Sequence, residues 1–177
     1  MKYEITIAGF GGQGVLFVGK ILAYAGMDCE KSISWLPSYG PEMRGGTANC
    51  SVIISDNSIA SPIITTADAV IALNKPSLEK FSDSIKPGGI LITDSLYCES
   101  KIKRTDITVC YIPAMEIAEN FGDSKLENMV MLGSFIKNTP LFSLEEIIES
   151  IKEHASKNKT EITNKNIKML KMGYDFK

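Results

Sequence analysis

Nine consecutive residues, Ser38-Tyr39-Gly40-Pro41-Glu42-Met43-Arg44-Gly45-Gly46, put an acid, a base, an aromatic ring and three glycines into one short stretch. A guanidinium grips a carboxylate or phosphate through two parallel hydrogen bonds, and a neighbouring carboxylate can orient it. A tyrosine offers an apolar body with a polar tip, a side-chain type enriched at the centre of binding surfaces. Pro41 fixes its own φ and donates no backbone hydrogen bond, while Gly45-Gly46 opens backbone angles closed to other residues. The stretch reads as a loop that presents groups to something else. For Arg44 two accounts stay open: an anchor for a carboxylate or phosphate, and an internal pair with Glu42 that shapes the loop. Tyr39 is equally open, between a binding contact and an anchor folded over the domain's own core.

A second constellation is Gly9-Phe10-Gly11-Gly12-Gln13-Gly14, which satisfies G-x-G-x-x-G directly after an apolar alternating segment and just before a helical one. In that context the free N–H groups at a helix N-terminus face an anion. A dinucleotide site also needs an acidic residue at the end of the second strand to hold the ribose. That strand ends Trp35-Leu36-Pro37, and Asp28 and Glu30 lie before it. A dinucleotide is therefore disfavoured. Gly9, Gly11, Gly12, Gln13 and Gly14 are expected to make an anion or phosphate contact, or else merely to let the first helix approach the sheet. Walker-type nucleotide binding is excluded, because no G-K-[ST] closes the loop and Lys20 falls inside the helix.

The remaining chemistry is thin. One histidine, His154, lies in a polar helical stretch and reads as solvent-facing, which weighs against serine hydrolases, His-ligated metal enzymes and His-based acid–base mechanisms. Cys29, Cys50, Cys98 and Cys110 are scattered without a C-x-x-C pair, so neither a zinc ribbon nor an iron–sulfur cluster is encoded, and buried free thiols are expected. No metal ligand set and no nucleophile with its base are assigned. A net charge of -2 gives no support to nucleic acid or membrane surface as partner. With no spanning apolar run and no signal-peptide pattern after Met1, the expected location is the cytoplasm.

These residues need elements to hold them. At 177 residues the chain fits one domain, 1–177. Tyr3–Ala8 reads as a first strand, and Val15, Val18, Leu22 and Ala25 as the buried side of a helix. Ile33–Leu36 and Asn49–Ile54 are short strands on either side of the Ser38–Gly46 stretch. Ala69–Leu73 is a continuous apolar run, as for a strand buried on both faces. A helix over Pro76–Ser84, a turn at Lys86-Pro87-Gly88-Gly89 and strands at Ile90–Thr93 and Ile107–Ile112 follow. Capping boxes at Ser124–Glu127 and Ser143–Glu146 open two helices, and a last one runs near Asn164–Met172. The rhythm predicts a Rossmann-like three-layer α/β sandwich with a largely parallel sheet and a helical C-terminal third. The methionines, Met129 and Met131 included, are expected in the core.

Together, Gly11-Gly12-Gln13-Gly14, Ser38–Gly46 and Asn128-Met129-Val130-Met131-Leu132-Gly133 resemble, in that order, the gamma subunit of the 2-oxoacid:ferredoxin oxidoreductases. The resemblance covers the chain nearly end to end. It implies a multisubunit enzyme that converts a 2-oxoacid and coenzyme A to acyl-CoA, CO2 and reduced ferredoxin. Thiamine diphosphate, Mg and iron–sulfur clusters then belong to the alpha, beta or delta chains, and no cofactor to this chain alone. Within the family, Tyr39-Gly40-Pro41-Glu42-Met43-Arg44-Gly45-Gly46 is most similar to the 2-oxoglutarate branch. Pyruvate, branched-chain and indolepyruvate members are the alternatives. Tyr39, Gly40, Glu42, Arg44, Gly45, Gly46 and Asn128 are then expected at a subunit interface or at coenzyme A, with Asn128 reaching a glycine loop or making only a helix-start contact. An isolated chain with such a face could self-associate. Two readings from other classes are a docking or scaffold domain and a stand-alone dehydrogenase.

Overall fold

The computed structural model describes residues 1–39, 47–98, 102–156 and 158–177, with the backbone alone at Tyr39. Six strands form one sheet in the order β2-β3-β1-β4-β5-β6. β1 (Lys2–Phe10), β4 (Ala67–Ala72), β5 (Ile85–Asp94) and β6 (Thr108–Ile112) are parallel neighbours. β3 (Thr47–Ser55) runs antiparallel between β1 and β2 (Ser32–Tyr39), so β2 again points the way of β1. The expected α/β class with a largely parallel sheet and a helical C-terminal third is what the chain adopts.

Alternation along each strand sorts its side chains between two apolar layers. Ile5 and Ile7, Val52 and Ile54, Ile71 and Ile92 face one side. There they meet Val18 and Leu22 of α1 (Val15–Asp28) and Met131 and Phe135 of α4 (Glu127–Asn138). Val70, Ala72 and Leu91 face the other side and pack on Leu78 of α2 (Lys75–Phe81). Every residue of Ala69–Leu73 is fully buried, as a two-faced strand demands. Met129 and Met131 are core residues, as expected. Beyond α4 the first layer continues into α5 (Leu144–Glu153) and α6 (Thr160–Asp175).

Several local expectations need correction. Ser124 does not cap α4: Ser124–Leu126 is a short 3-10 turn capped by Asp123, and Glu127 points inward. Asp123 takes the cap because it stands just before the turn, where its carboxylate reaches the Lys125 N–H, while Ser124 lies inside the turn. The capping box at Ser143–Glu146 is present with both bonds made. Lys86-Pro87-Gly88-Gly89 is not a separate turn but an irregularity inside β5, between the pairs Ala67↔Ile85 and Ala69↔Ile90. Lys86 there is tied to Glu4 (2.7 Å) and Asp68 (2.9 Å), which keeps the segment in the sheet. A helix with no counterpart in the sequence reading, α3 (Ala114–Phe121), buries Ala114 and Ala118 and packs Ile117 and Phe121 against the core; at eight residues it shows barely two turns of that period.

Candidate functional site

The carboxyl ends of β1, β4 and β5 share one edge of the sheet, and the heads of α1 and α4 meet there. Strand order reverses between β1 and β4, the place where open α/β sheets bind ligands. Phe10 to Gln13 forms a closed turn, with the Gln13 N–H donating to the Phe10 carbonyl at 3.2 Å. Gly14 then caps α1 at φ 75, a left-handed conformation that favours glycine. A Cβ at Gly14 would run into the Asn128 amide. Phe17 and Val18 both donate to the Gly14 carbonyl, so the Val15 and Leu16 N–H groups open the helix without an acceptor among the described residues.

Gln13 is committed inside the fold. Its Oε1 accepts from the Phe10 N–H (2.7 Å) and from Asn74 Nδ2 (3.1 Å), and its Nε2 donates to the Leu73 carbonyl (2.9 Å). Asn74 is itself the N-cap of α2, accepting from the Ser77 N–H. The side chain of Gln13 thus bridges the ends of β1 and β4 and fills the crevice that a dinucleotide pyrophosphate would cross. The topology disfavours a dinucleotide a second time. β3 separates β1 from β2, so the end of β2 lies two strand spacings, about 10 Å, from the glycine loop. The turn at Gly12 is exposed beside the head of α1.

Asn128, in the first turn of α4, reaches the glycine loop as one of its two expected contacts: Nδ2 donates to the Gly14 carbonyl at 3.5 Å. Among the described residues its Oδ1 is buried without a partner, and so is Oε1 of its neighbour Glu127. Glu127 is 4% exposed, and burial, reinforced by the charge of Asp94, pushes its carboxyl up to about 7. Asp94, at the end of β5 and 1% exposed, accepts backbone N–H bonds from Leu96 and Met115, both at 2.8 Å. Burial also raises the Tyr97 hydroxyl, helped by Glu127 and Asp94.

Gly9, Gly11, Gly12, Gln13, Gly14 and Asn128 therefore come together at one edge. Gly40, Glu42, Arg44, Gly45 and Gly46 lie outside the described residues, as does the side chain of Tyr39. Their flanks are placed: Thr47 pairs with Phe10, and Tyr39 with Ala48, so the strand ends bordering the stretch lie at the same edge as the glycine loop. Sequence reasoning missed Asn74, Asp94 and Glu127. Asp94 had a signal, an acid closing a buried apolar strand at the edge where ligands bind. Glu127 had none, since its capping-box spacing pointed it outward.

Fold and edge together define a Rossmann-like α/β domain with a glycine loop at its switch point and a crevice closed by its own glutamine. Residues 4–176 match the family model described as pyruvate ferredoxin/flavodoxin oxidoreductase. Ketoisovalerate oxidoreductase subunit VorA of Methanothermobacter thermautotrophicus is 39% identical over 99% of this chain, which spans 36% of that relative. The 2-oxoglutarate synthase subunit KorC of Methanocaldococcus jannaschii is 34% identical over 99% of this chain and 94% of its own. The crystal structure of the keto/oxoacid ferredoxin oxidoreductase gamma subunit from Geobacter sulfurreducens superposes with a TM-score of 0.81 at 30% identity, covering 97% of this chain and 96% of that one. The chain belongs to the pyruvate ferredoxin/flavodoxin oxidoreductase family.

Proposed function

We propose that this chain is the gamma subunit of a multisubunit 2-oxoacid:ferredoxin oxidoreductase acting on 2-oxoglutarate. The observation that carries the reading is the end-to-end match to a 2-oxoglutarate synthase subunit, 99% of this chain against 94% of the relative. The complex would turn 2-oxoglutarate and coenzyme A into succinyl-CoA and CO2, with two ferredoxins reduced. Thiamine diphosphate, bound with Mg in the alpha and beta chains, supplies the carbanion chemistry. Iron–sulfur clusters in beta or delta carry the electrons.

This chain makes no bond itself in that scheme. Its glycine loop offers the N–H groups of Gly12, Gly14, Val15 and Leu16 to a phosphate of coenzyme A. Gln13 and Asn128 hold the loop in shape, and Arg44, oriented by Glu42, grips a carboxylate on alpha or beta or a coenzyme A phosphate. Tyr39, Gly40, Gly45 and Gly46 complete the contact. The assembly would work in the cytoplasm; no helix among the described residues is long and apolar enough to cross a membrane. A second reading, a branched-chain 2-oxoacid, is favoured by the higher identity to the ketoisovalerate subunit.

The test is affinity purification of the tagged chain from its native cells, followed by viologen or ferredoxin reduction by the recovered complex. Co-recovery of thiamine-binding and ferredoxin-like chains, with turnover of 2-oxoglutarate above 2-oxoisovalerate, is expected. Recovery of the chain alone, or 2-oxoglutarate oxidation by the chain alone, overturns the reading; faster 2-oxoisovalerate turnover replaces it with the second. Arg44→Ala is expected to reduce recovery of the complex, or to raise the KM for coenzyme A, by at least about tenfold.

A further inference from the structure

The opposite end of α1 carries a second cluster of ligating side chains. α1 ends at Asp28 and α5 ends at Glu153, followed by His154 as its C-cap. One ligand atom from each of Asp28, Glu153 and His154 lies within 4.8 Å of the others. α1 is about 20 Å long at ~1.5 Å per residue, so this cluster is remote from the glycine loop.

His154 is exposed, as its sequence context predicts, but its ring is held in place. Its ring stacks on Tyr24 with centroids 4.1 Å apart and planes 11° from parallel. Its Nε2 stands 3.0 Å from Asp28 Oδ1. Two donors about 2.05 Å from a tetrahedral ion are separated by roughly 3.3 Å, so an ion fits between these atoms after a shift of a few tenths of an ångström. The ring plane and the aim of Nε2 are already fixed, which removes most of the ordering cost of ligation.

The electrostatics favour a cation. Two helices bring the negative ends of their dipoles to this point, and each adds a carboxylate. Lys31, the nearest following base in sequence, is turned to Asp56 at 2.6 Å. Ser150, 3% exposed, lines the same hollow as Asp28 and Glu153, and among the described residues its hydroxyl has no hydrogen-bond partner. A buried polar atom is thus left over at the rim of the cluster, able to serve a ligand or a metal-bound water.

We propose that Asp28, Glu153 and His154 bind one divalent cation of the zinc class, which clamps the C-terminal end of α1 to that of α5. An imidazole with two carboxylates selects a borderline transition metal over Mg2+ or Ca2+, which prefer all-oxygen sites. Three protein ligands leave the outward position to water. The role is structural: the cation holds two helices that the core joins only on their inner faces.

Chelator-treated protein titrated with Zn2+ by calorimetry is expected to take up one equivalent, with Mg2+ binding at least about a hundredfold more weakly. His154→Gln and Asp28→Asn should each weaken Zn2+ at least about tenfold, while Cys29→Ser leaves it unchanged. The chain has one histidine, so Zn2+ must also shift its single imidazole NMR signal in the unmodified protein, a readout independent of any variant's folding. An unmoved imidazole signal overturns the site. So does Zn2+ uptake that survives His154→Gln but is lost in Cys29→Ser, or equal affinity for Mg2+.

Discussion

Glu127 is the buried carboxyl whose proton matters most at neutral pH. Its folded value of about 7 stands above the ordinary 4.5, so the native state holds a proton that the unfolded chain releases earlier. Stability from this group is complete below about pH 4.5, falls as pH rises, and is fully lost above about 7. At about 1.4 kcal/mol per pH unit the span from 4.5 to 7 is worth roughly 3 kcal/mol. Glu127→Gln removes it: between pH 5 and pH 8, urea titrations should show the variant gaining on the parent by up to about 3 kcal/mol. A parallel pH dependence in both proteins would contradict the assignment. Thiols divide just as sharply. Burial pushes the Cys50 thiol up to about 12, whereas Cys98 is exposed. Iodoacetamide followed by peptide mass mapping should label Cys98 first and Cys50 only on unfolding.

Between elements, backbone approach sets the geometry. A Cβ on Gly133 of α4 would meet the Leu170 carbonyl, and one on Gly173 of α6 would meet Val130, so the two helices touch main chain to main chain. Gly173→Ala should force them apart at a cost of about 1–3 kcal/mol, with α6 amides losing hydrogen-exchange protection before the sheet does. At the other contact, Gly14→Ala combines a left-handed φ, worth about 1–2 kcal/mol, with a collision against Asn128. Asn128→Ala in the same chain should recover the collision part and leave the backbone part, a non-additivity that a double-mutant cycle measures. Full additivity would mean that α1 and α4 do not meet through these two residues.

For the molecule as a whole, two groups of polar residues lie far apart, one at the carboxyl edge of the sheet and one at the ends of two helices. The carboxyl edge gathers the glycine loop, Asn128, Asp94 and Glu127, together with the strand ends that flank the Ser38–Gly46 stretch. The other end of α1 carries the Asp28–Glu153–His154 cluster. The two lie a helix length apart, so their effects should separate. Arg44→Ala is expected to change assembly without moving Zn2+ affinity. His154→Gln should lower the metal-dependent rise in Tm while subunit recovery from the same cells stays intact.

Local pattern alone carried much of this. Alternation in Tyr3–Ala8 and Asn49–Ile54, the unbroken apolar run Ala69–Leu73 and the capping box at Ser143 specified their elements, because period and caps act within a few residues. The glycine loop and the missing carboxylate at the end of the second strand were also legible. Tertiary structure decided what depends on distant partners. Gln13 closing the β1–β4 crevice needs Leu73 and Asn74, sixty residues on. Glu127 turning from a cap to a buried acid needs the packing that covers it, with Asp94 nearby, and the orientation of the His154 ring needs Asp28 and Tyr24. Each of those pairings joins residues far apart in the chain, and only closure of the sheet and packing of the helices on it bring them together.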